Sequence, residues 1–531
     1  MASNLIVNME NKNGGAVSFL AAGARLMLRL PIALVRAVVA TASDSSYESR
    51  PGILGKVIGW PPPRLDPSKE TAWLDGLRGI SSCLVVAFHF HLRFLMGLHL
   101  EAPYGSVLLP KKTVANDIWR LPLFRFFVSA GHAQVSIFFV LSGFVLSWKS
   151  IELIRTGQSE RLLASLSSTV LRRWFRLYLP CFAVGLFAFW KVRMHVDVPL
   201  GIEVYPSIIR QFWDYIMACE AFARPLLRDR SHPNWLHKYS WIMWTIPLEF
   251  EGSLMVFILL LGMARAQNYT NRMLLLGFLV SYSCLLGYWT YWLFATGMMI
   301  ADYVKEAGGF DQLSKQATTA SNLFWEVILL LGIWMAGVPT PSPKFYDRPG
   351  YQFLDNVTPS AYREIEDGAR FWWSLAGILM FFSGCHLKHI QRICETSLSQ
   401  YLGRLSYMLY LTHSEIPIRI GSVFRDWFSD TWGTKFYDED FKVDLYKFTV
   451  FPGIILFCVS WIICGISAII VAHWCEVLVD RPSILVSKWI ETRFTANEPP
   501  ELRETGHRIS EFQRDDAILL STYSNSNNDQ I

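Results

Sequence analysis

Asp75, Arg78 and His89 fall within one apolar stretch, Trp73 to Arg93, of a 531-residue sequence. An ionisable side chain at membrane depth costs roughly 2.5–3.5 kcal/mol on insertion scales, so such groups usually face a protein interior and mark function. Arg78 and His89 are eleven residues apart. At about 100° per residue that spacing returns to within about 20° of the same helix face, with about 16 Å of rise between the groups. One face of one helix therefore presents a cation near the membrane edge and a titratable imidazole near the middle. Asp75 sits one turn before the cation. An imidazole with an ordinary pKa of about 6.5 suits general-base work near neutral pH. Its bland alternative is a core histidine satisfied by a backbone carbonyl.

Further ionisable residues repeat this pattern. Arg173 and Arg176 share a helical face at the start of a later apolar segment, where two guanidinium forks can grip phosphate; basic charge at a membrane edge also needs no ligand. Glu249, followed by Glu251, is placed in an apolar run and needs a partner, for which His89 or Arg78 is the nearest chemical candidate. His413 lies between Thr412 and Ser414 and suits packing or an acceptor contact as well as catalysis. His91 points to another face than His89 and reads as structural.

The elements that must position these groups are membrane helices. Apolar residues make up 52% of the chain and charged residues 18%, below the roughly 25% usual in soluble domains. Apolar windows fall at about 74–96, 133–149, 174–194, 243–264, 272–287, 289–304, 323–338, 370–387, 398–418 and 448–475. They predict an all-α polytopic bundle of about ten transmembrane helices. Only Gly287-Tyr288 divides the fifth window from the sixth. Residues 1–72 read as a cytosolic leader in which Leu20–Val39, broken by Arg25, Arg29 and Arg36, is an amphipathic interfacial helix or disorder. Residues 73–490 form the membrane domain, and 491–531 a disordered cytosolic tail. The 149–173 loop carries Lys149, Arg155, Arg161, Arg172 and Arg173, and Arg265, Arg272, Lys388 and Arg392 join that side. By the positive-inside rule both termini are cytosolic.

A net charge of +5 does not suggest nucleic acid, and the nine cysteines show no paired CxxC spacing, so neither a disulfide framework nor a metal site is indicated.

Seven motifs in order resemble the acyltransferase 3 family of integral-membrane O-acyltransferases. They are Leu74-Asp-Gly-Leu-Arg-Gly-Ile80 leading to His89, Ser136-Ile-Phe-Phe-Val-Leu-Ser-Gly-Phe144, Arg173-Trp-Phe-Arg176 and Trp244-Thr-Ile-Pro-Leu-Glu249. Phe294 to Asp302, Leu405 to His413 and Val479-Asp-Arg-Pro-Ser483 follow. The Thr245 and Pro247 variants look most like filamentous-fungal members. The resemblance implies transfer of an acyl group, acetyl or another short one, from cytosolic acyl-CoA to a hydroxyl. It implies His89 as general base, Arg78 stabilising the thioester carbonyl or donor phosphates, and Glu249 as a catalytic partner. Arg173 and Arg176 would bind the donor's phosphates, and Asp75 and His413 would serve the substrate site.

No permanently bound cofactor is expected; acyl-CoA is a co-substrate. The partners are the bilayer and a hydroxyl-bearing small-molecule, lipid or carbohydrate acceptor, a specialised metabolite among them. An endomembrane such as the endoplasmic reticulum is the expected location. With no Gly-x-Ser-x-Gly elbow, direct transfer is simpler than an acyl-enzyme. The rival from another class is a proton-coupled transporter using the intramembrane His, Glu and Arg. Against it stand the missing internal repeat and the lack of paired broken helices.

Overall fold

The computed structural model describes residues 53–61, 70–94, 102–108, 113–196, 202–224, 238–340, 347–365, 368–415 and 451–494, with a few single positions between them. Most of the expected leader, including nearly all of its proposed interfacial helix, and all of the tail beyond residue 494 lie outside the described residues.

Twelve longer helices make up most of what is described. They are α1 (Ala72–Phe94), α2 (Gly131–Arg155), α3 (Ser159–Arg193), α4 (Ile208–Phe222), α5 (Thr245–Gly262), α6 (Tyr269–Leu285), α7 (Trp289–Glu306), α8 (Thr319–Ala336), α9 (Ala369–His386), α10 (Ser397–Thr412), α11 (Phe451–Cys475) and α12 (Arg481–Phe494). Among the described residues, a single antiparallel pair of two-residue strands, Val107–Leu108 with Thr113–Val114, stands in the 97–132 segment.

Every apolar window coincides with a helix. Five stretches among the described residues are long and apolar enough to cross a membrane: Gly131–Arg155, Ser159–Arg193, Trp241–Gly262, Thr319–Ala336 and Phe457–Phe494. The others fall short for identifiable reasons. α6 has 17 residues and α10 has 16. α1 carries Asp75, Arg78 and Arg93, and α7 carries Asp302, Lys305 and Glu306. The exposed face of α8 is apolar, with Leu323, Phe324, Val327 and Leu330 outward, as a lipid surround requires.

Side-chain oxygens start several of these helices. Asn268 accepts from the Asn271 N–H at 3.3 Å before α6, and Thr318 from the Ser321 N–H at 3.1 Å before α8. Gly287, at φ 76°, makes the sharp turn between α6 and α7, the boundary only weakly marked in the sequence.

Two backbone contacts set the frame of the core. A Cβ on Gly143 would lie 2.2 Å from the Phe294 carbonyl oxygen, and one on Gly297 2.1 Å from that of Val140, so α2 and α7 touch main chain to main chain. A Cβ on Gly79 would meet the Gly403 nitrogen at 2.3 Å, and one on Gly403 the Asp75 carbonyl at 2.4 Å. That second contact lays α1 directly on α10. The aromatic run at the start of α9 belongs to the core: Trp372 and Trp373 are buried, and the Arg370 guanidinium lies 4.5 Å from the Trp289 ring centre and 5.1 Å from that of Trp373.

The 149–173 segment is not a loop. α2 runs to Arg155 and α3 starts at Ser159, joined by a tight turn with Gly157 at φ 71°. Two of its basic residues pair with acids, Arg155 with Glu306 at 2.6 Å and Arg172 with Glu491 at 3.1 Å. Arg272, also counted as a loop residue, is buried on α6 against Asp302.

Candidate active site

A cavity of about 140 Å³ opens between α1, α2, α3, α5 and α10. Its polar end is lined by Arg78, Arg173, Arg176, Glu249, Ser142 and Ser406. Apolar walls from Val135, Phe138, Phe139 and Ile246 lead to Thr245 and Tyr410. The two ends differ because the helices supply charge at one level and aromatic or β-branched residues a few turns away.

The close contact of α1 with α10 fixes Arg78. Its Nε donates to Ser406 Oγ at 2.6 Å and an Nη to the Gly403 carbonyl at 2.8 Å. Arg173 donates to Glu249 Oε1 at 2.5 Å and to Ser253 Oγ at 3.1 Å. Ser142 also hydrogen-bonds Glu249. Asp75 acts electrostatically on Arg78 from behind and is not among the residues lining the cavity. α3 extends over 35 residues, about 52 Å. Arg173 and Arg176 therefore lie well inside it and face the cavity, not at a helix start as expected.

One expectation about neighbours is corrected. Glu249 is in direct contact with Arg173 rather than with His89 or Arg78, because α3 and α5 pack at that level, and Arg78 acts on it electrostatically. Arg78 joins the arginine group, while the helical rise holds it about 16 Å from His89.

His89 and His413 meet at the other end, although 324 residues separate them. Their rings lie 5.0 Å apart, with His413 Nε2 3.2 Å from His89 Nδ1. His413 Nδ1 is 2.7 Å from the Tyr410 carbonyl and 3.1 Å from that of Leu409. Carbonyls only accept, so His413 carries its proton on Nδ1 and leaves Nε2 as an acceptor. His89 Nδ1 faces that acceptor and the Val85 carbonyl at 3.0 Å, so it too must be protonated. His89 Nε2 is left with its lone pair. His413 is fully buried, His89 only partly so, and Trp241, half exposed, sits edge-on to the His89 ring at 5.5 Å. Neither histidine lines the cavity itself; the pair stands just past its Tyr410 end. His91 leads elsewhere, to the Val128 carbonyl at 3.3 Å and the Phe457 ring.

One acidic residue escaped the sequence reading. Asp480 closes a π-helical turn, Glu476–Asp480, between α11 and α12. It is buried, neither carboxylate oxygen has a hydrogen-bond partner among the described residues, and Arg176 and Arg78 are cations that balance it electrostatically. The signal was present in Val479-Asp-Arg-Pro-Ser483, a motif noted without a role.

Over residues 71–477 the chain matches the Acyl_transf_3 family, described as an acyltransferase domain. The chain belongs to this family. As an acyltransferase it resembles three fungal proteins, each 26% identical. O-acetyltransferase PaAT-1 of Phomopsis amygdali aligns over 81% of this chain and 86% of its own length. Acyltransferase R4 of a Phoma species aligns over 80% and 96%, and acyltransferase clz18 of Cochliobolus lunatus over 68% and 85%. No solved structure matches. The Leu74–Ile80 motif supplies Gly79, which docks α1 on α10, and the Leu405–His413 motif supplies the second histidine.

Proposed function

We propose that this acyltransferase moves a short acyl group from acyl-CoA to a hydroxyl of a small-molecule, lipid or carbohydrate acceptor, with His89 as general base. The observation that carries the reading is the hydrogen-bond chain from the Tyr410 carbonyl through His413 to His89. That chain commits the His89 Nδ1 proton and leaves Nε2 free to take one from an alcohol. Arg78, Arg173 and Arg176 receive the donor's phosphates at the polar end of the cavity. Asp75 orients Arg78, Glu249 orients Arg173, and His413 holds His89 in its tautomer; these three act through their neighbours. The thioester then reaches along the apolar walls toward Tyr410, and the acceptor comes to His89 past Trp241.

The printed name of PaAT-1, an O-acetyltransferase, supports hydroxyl acceptors and a short acyl group. The bundle crosses an endomembrane, such as the endoplasmic reticulum, about ten times with both termini cytosolic, and the arginine end faces cytosolic acyl-CoA. Residues 1–72 and 491–531 flank the membrane domain on that side. Nothing in the site favours the transporter reading over the family's chemistry.

His89→Ala, assayed with acetyl-CoA and the acceptor pool of the parent cells, is expected to lose about 10²–10⁴-fold in turnover while still inserting and folding. Near-normal turnover in a well-expressed variant would make His89 a core histidine and end the proposal.

A further inference from the structure

We infer that Gln134 is a catalytic residue that donates its side-chain amide N–H to the carbonyl oxygen of the donor thioester as transfer occurs. The inference rests on the acyl-transfer reading above and supplies what that reading lacks. With Arg78 held at the far end of the cavity, no donor has yet been assigned to the oxyanion beside His89.

Gln134 is 1% exposed, and its Nε2 has no hydrogen-bond partner among the described residues. A buried, unsatisfied amide donor is costly and needs a reason. Its place on α2 gives one. Counting about 100° per residue from Phe138, Ser142 stands near +40°, Val135 near +60° and Gln134 near −40°. The first three line the cavity, so Gln134 shares their face, one turn beyond Phe138.

Its level is fixed by α1. A Cβ on Gly131 would lie 2.4 Å from the Phe88 ring, while farther along Ser142 and Arg78 line the same cavity. The two helices are therefore antiparallel, with Gly131 opposite Phe88. Gln134 is about 4.5 Å inward from Gly131. Helical side chains lean toward their own N-terminus, so Gln134 leans outward and His89 inward, as its Nδ1 contact with the Val85 carbonyl confirms. The amide and the imidazole converge on one level at the end of the cavity.

The step balances with these groups alone. His89 Nε2 takes the acceptor's hydroxyl proton as its oxygen bonds the thioester carbon. The carbonyl π pair moves onto oxygen, where the Gln134 N–H meets it. The pair then returns, the carbon–sulfur bond breaks, and the thiolate takes the proton from His89.

Gln134→Met removes the donor at nearly constant shape. Its kcat is expected to fall about 10²–10³-fold, the usual loss for one oxyanion donor, with donor KM within about threefold of the parent. Gln134→Asn, whose amide is drawn back by one methylene, is expected to lose kcat less severely with KM equally unmoved. Parent-like kcat in Gln134→Met overturns the inference, and so does a loss carried by KM, which marks packing. If the Met variant does not accumulate, the Asn variant is judged by the same split. His89→Ala measured alongside keeps the two proposals apart. If it is inactive while Gln134→Met is fully active, only the role of Gln134 fails. If it is active, the base reading fails and this one with it.

Discussion

Arg272 and Arg173 are both guanidinium groups inside the bundle with a carboxylate in close contact, yet they are built differently. Arg272 is 1% exposed and donates twice to Asp302, at 2.6 and 2.8 Å, and to the Ala266 and Gln267 carbonyls at 2.9 and 2.7 Å. Its partner Asp302 is completely buried. Arg173 and Glu249 are each 13% exposed, share one hydrogen bond, and border a cavity that holds two more arginines. The first pair is closed on itself. The second keeps donor capacity turned toward open space, beside more positive charge than its carboxylate neutralises. The first arrangement serves packing alone, while the second fits the donor-phosphate role proposed for it.

The strongest way to break this comparison is to remove a carboxylate from the closed pair. Asp302→Asn leaves Arg272 buried without its counter-charge, and losing one partner of a buried pair typically costs about 3–5 kcal/mol. Loss of folded protein, read as a lowered unfolding temperature in detergent or failure to accumulate, is expected. A stable variant with altered donor affinity would place Arg272 in the functional group instead.

Next in size are Arg173→Ala and Arg176→Ala. Each is expected to weaken donor binding by roughly 1.5–3 kcal/mol, the worth of a charge-assisted contact to phosphate. Donor KM should rise by more than any change for the acceptor, with a smaller loss of stability than Asp302→Asn. An unfolded variant with this substitution would make the open pair as structural as the closed one.

How much of this could be read from the chain follows the same division. Apolar segments mark buried or lipid-facing surface wherever they occur, so all ten windows landed on helices. Charge placed at helix depth was also legible, and Arg78, Arg173, Arg176 and Glu249 do meet around one cavity. What failed was pairing. The Glu249 partner depends on how α3 and α5 pack, and the His89–His413 contact depends on the docking of α1 on α10; no spacing rule encodes either. The extent of α3 was missed because its first half is amphipathic, so its polar residues read as loop. Asp480 was hidden by a π turn that changes which residue faces inward. Gly79 in the Leu74–Ile80 motif was visible as part of a pattern, but its purpose appears only with Gly403 opposite.

The finest comparison makes the Asp302 change at the open pair. Glu249→Gln keeps an oxygen for Arg173 and a group for Ser142 but removes one negative charge from the cavity. Because Arg173 is held as well by Ser253 at 3.1 Å and borders open space, stability should fall by clearly less than the roughly 3–5 kcal/mol expected of Asp302→Asn. The donor's phosphates would then meet a cavity one unit more positive. At a separation of several ångströms and an effective dielectric near 20, attraction of that kind is worth about 1–2 kcal/mol before screening. Donor KM is therefore expected to fall by a few-fold, with an effect that shrinks as salt is raised. The opposite sign, a higher donor KM with stability intact, would mean that the orienting hold of Glu249 on the Arg173 fork outweighs the charge it removes from the cavity. A loss as large as that of Asp302→Asn would erase the distinction between the two pairs, since saturation of the guanidinium would no longer separate structure from site.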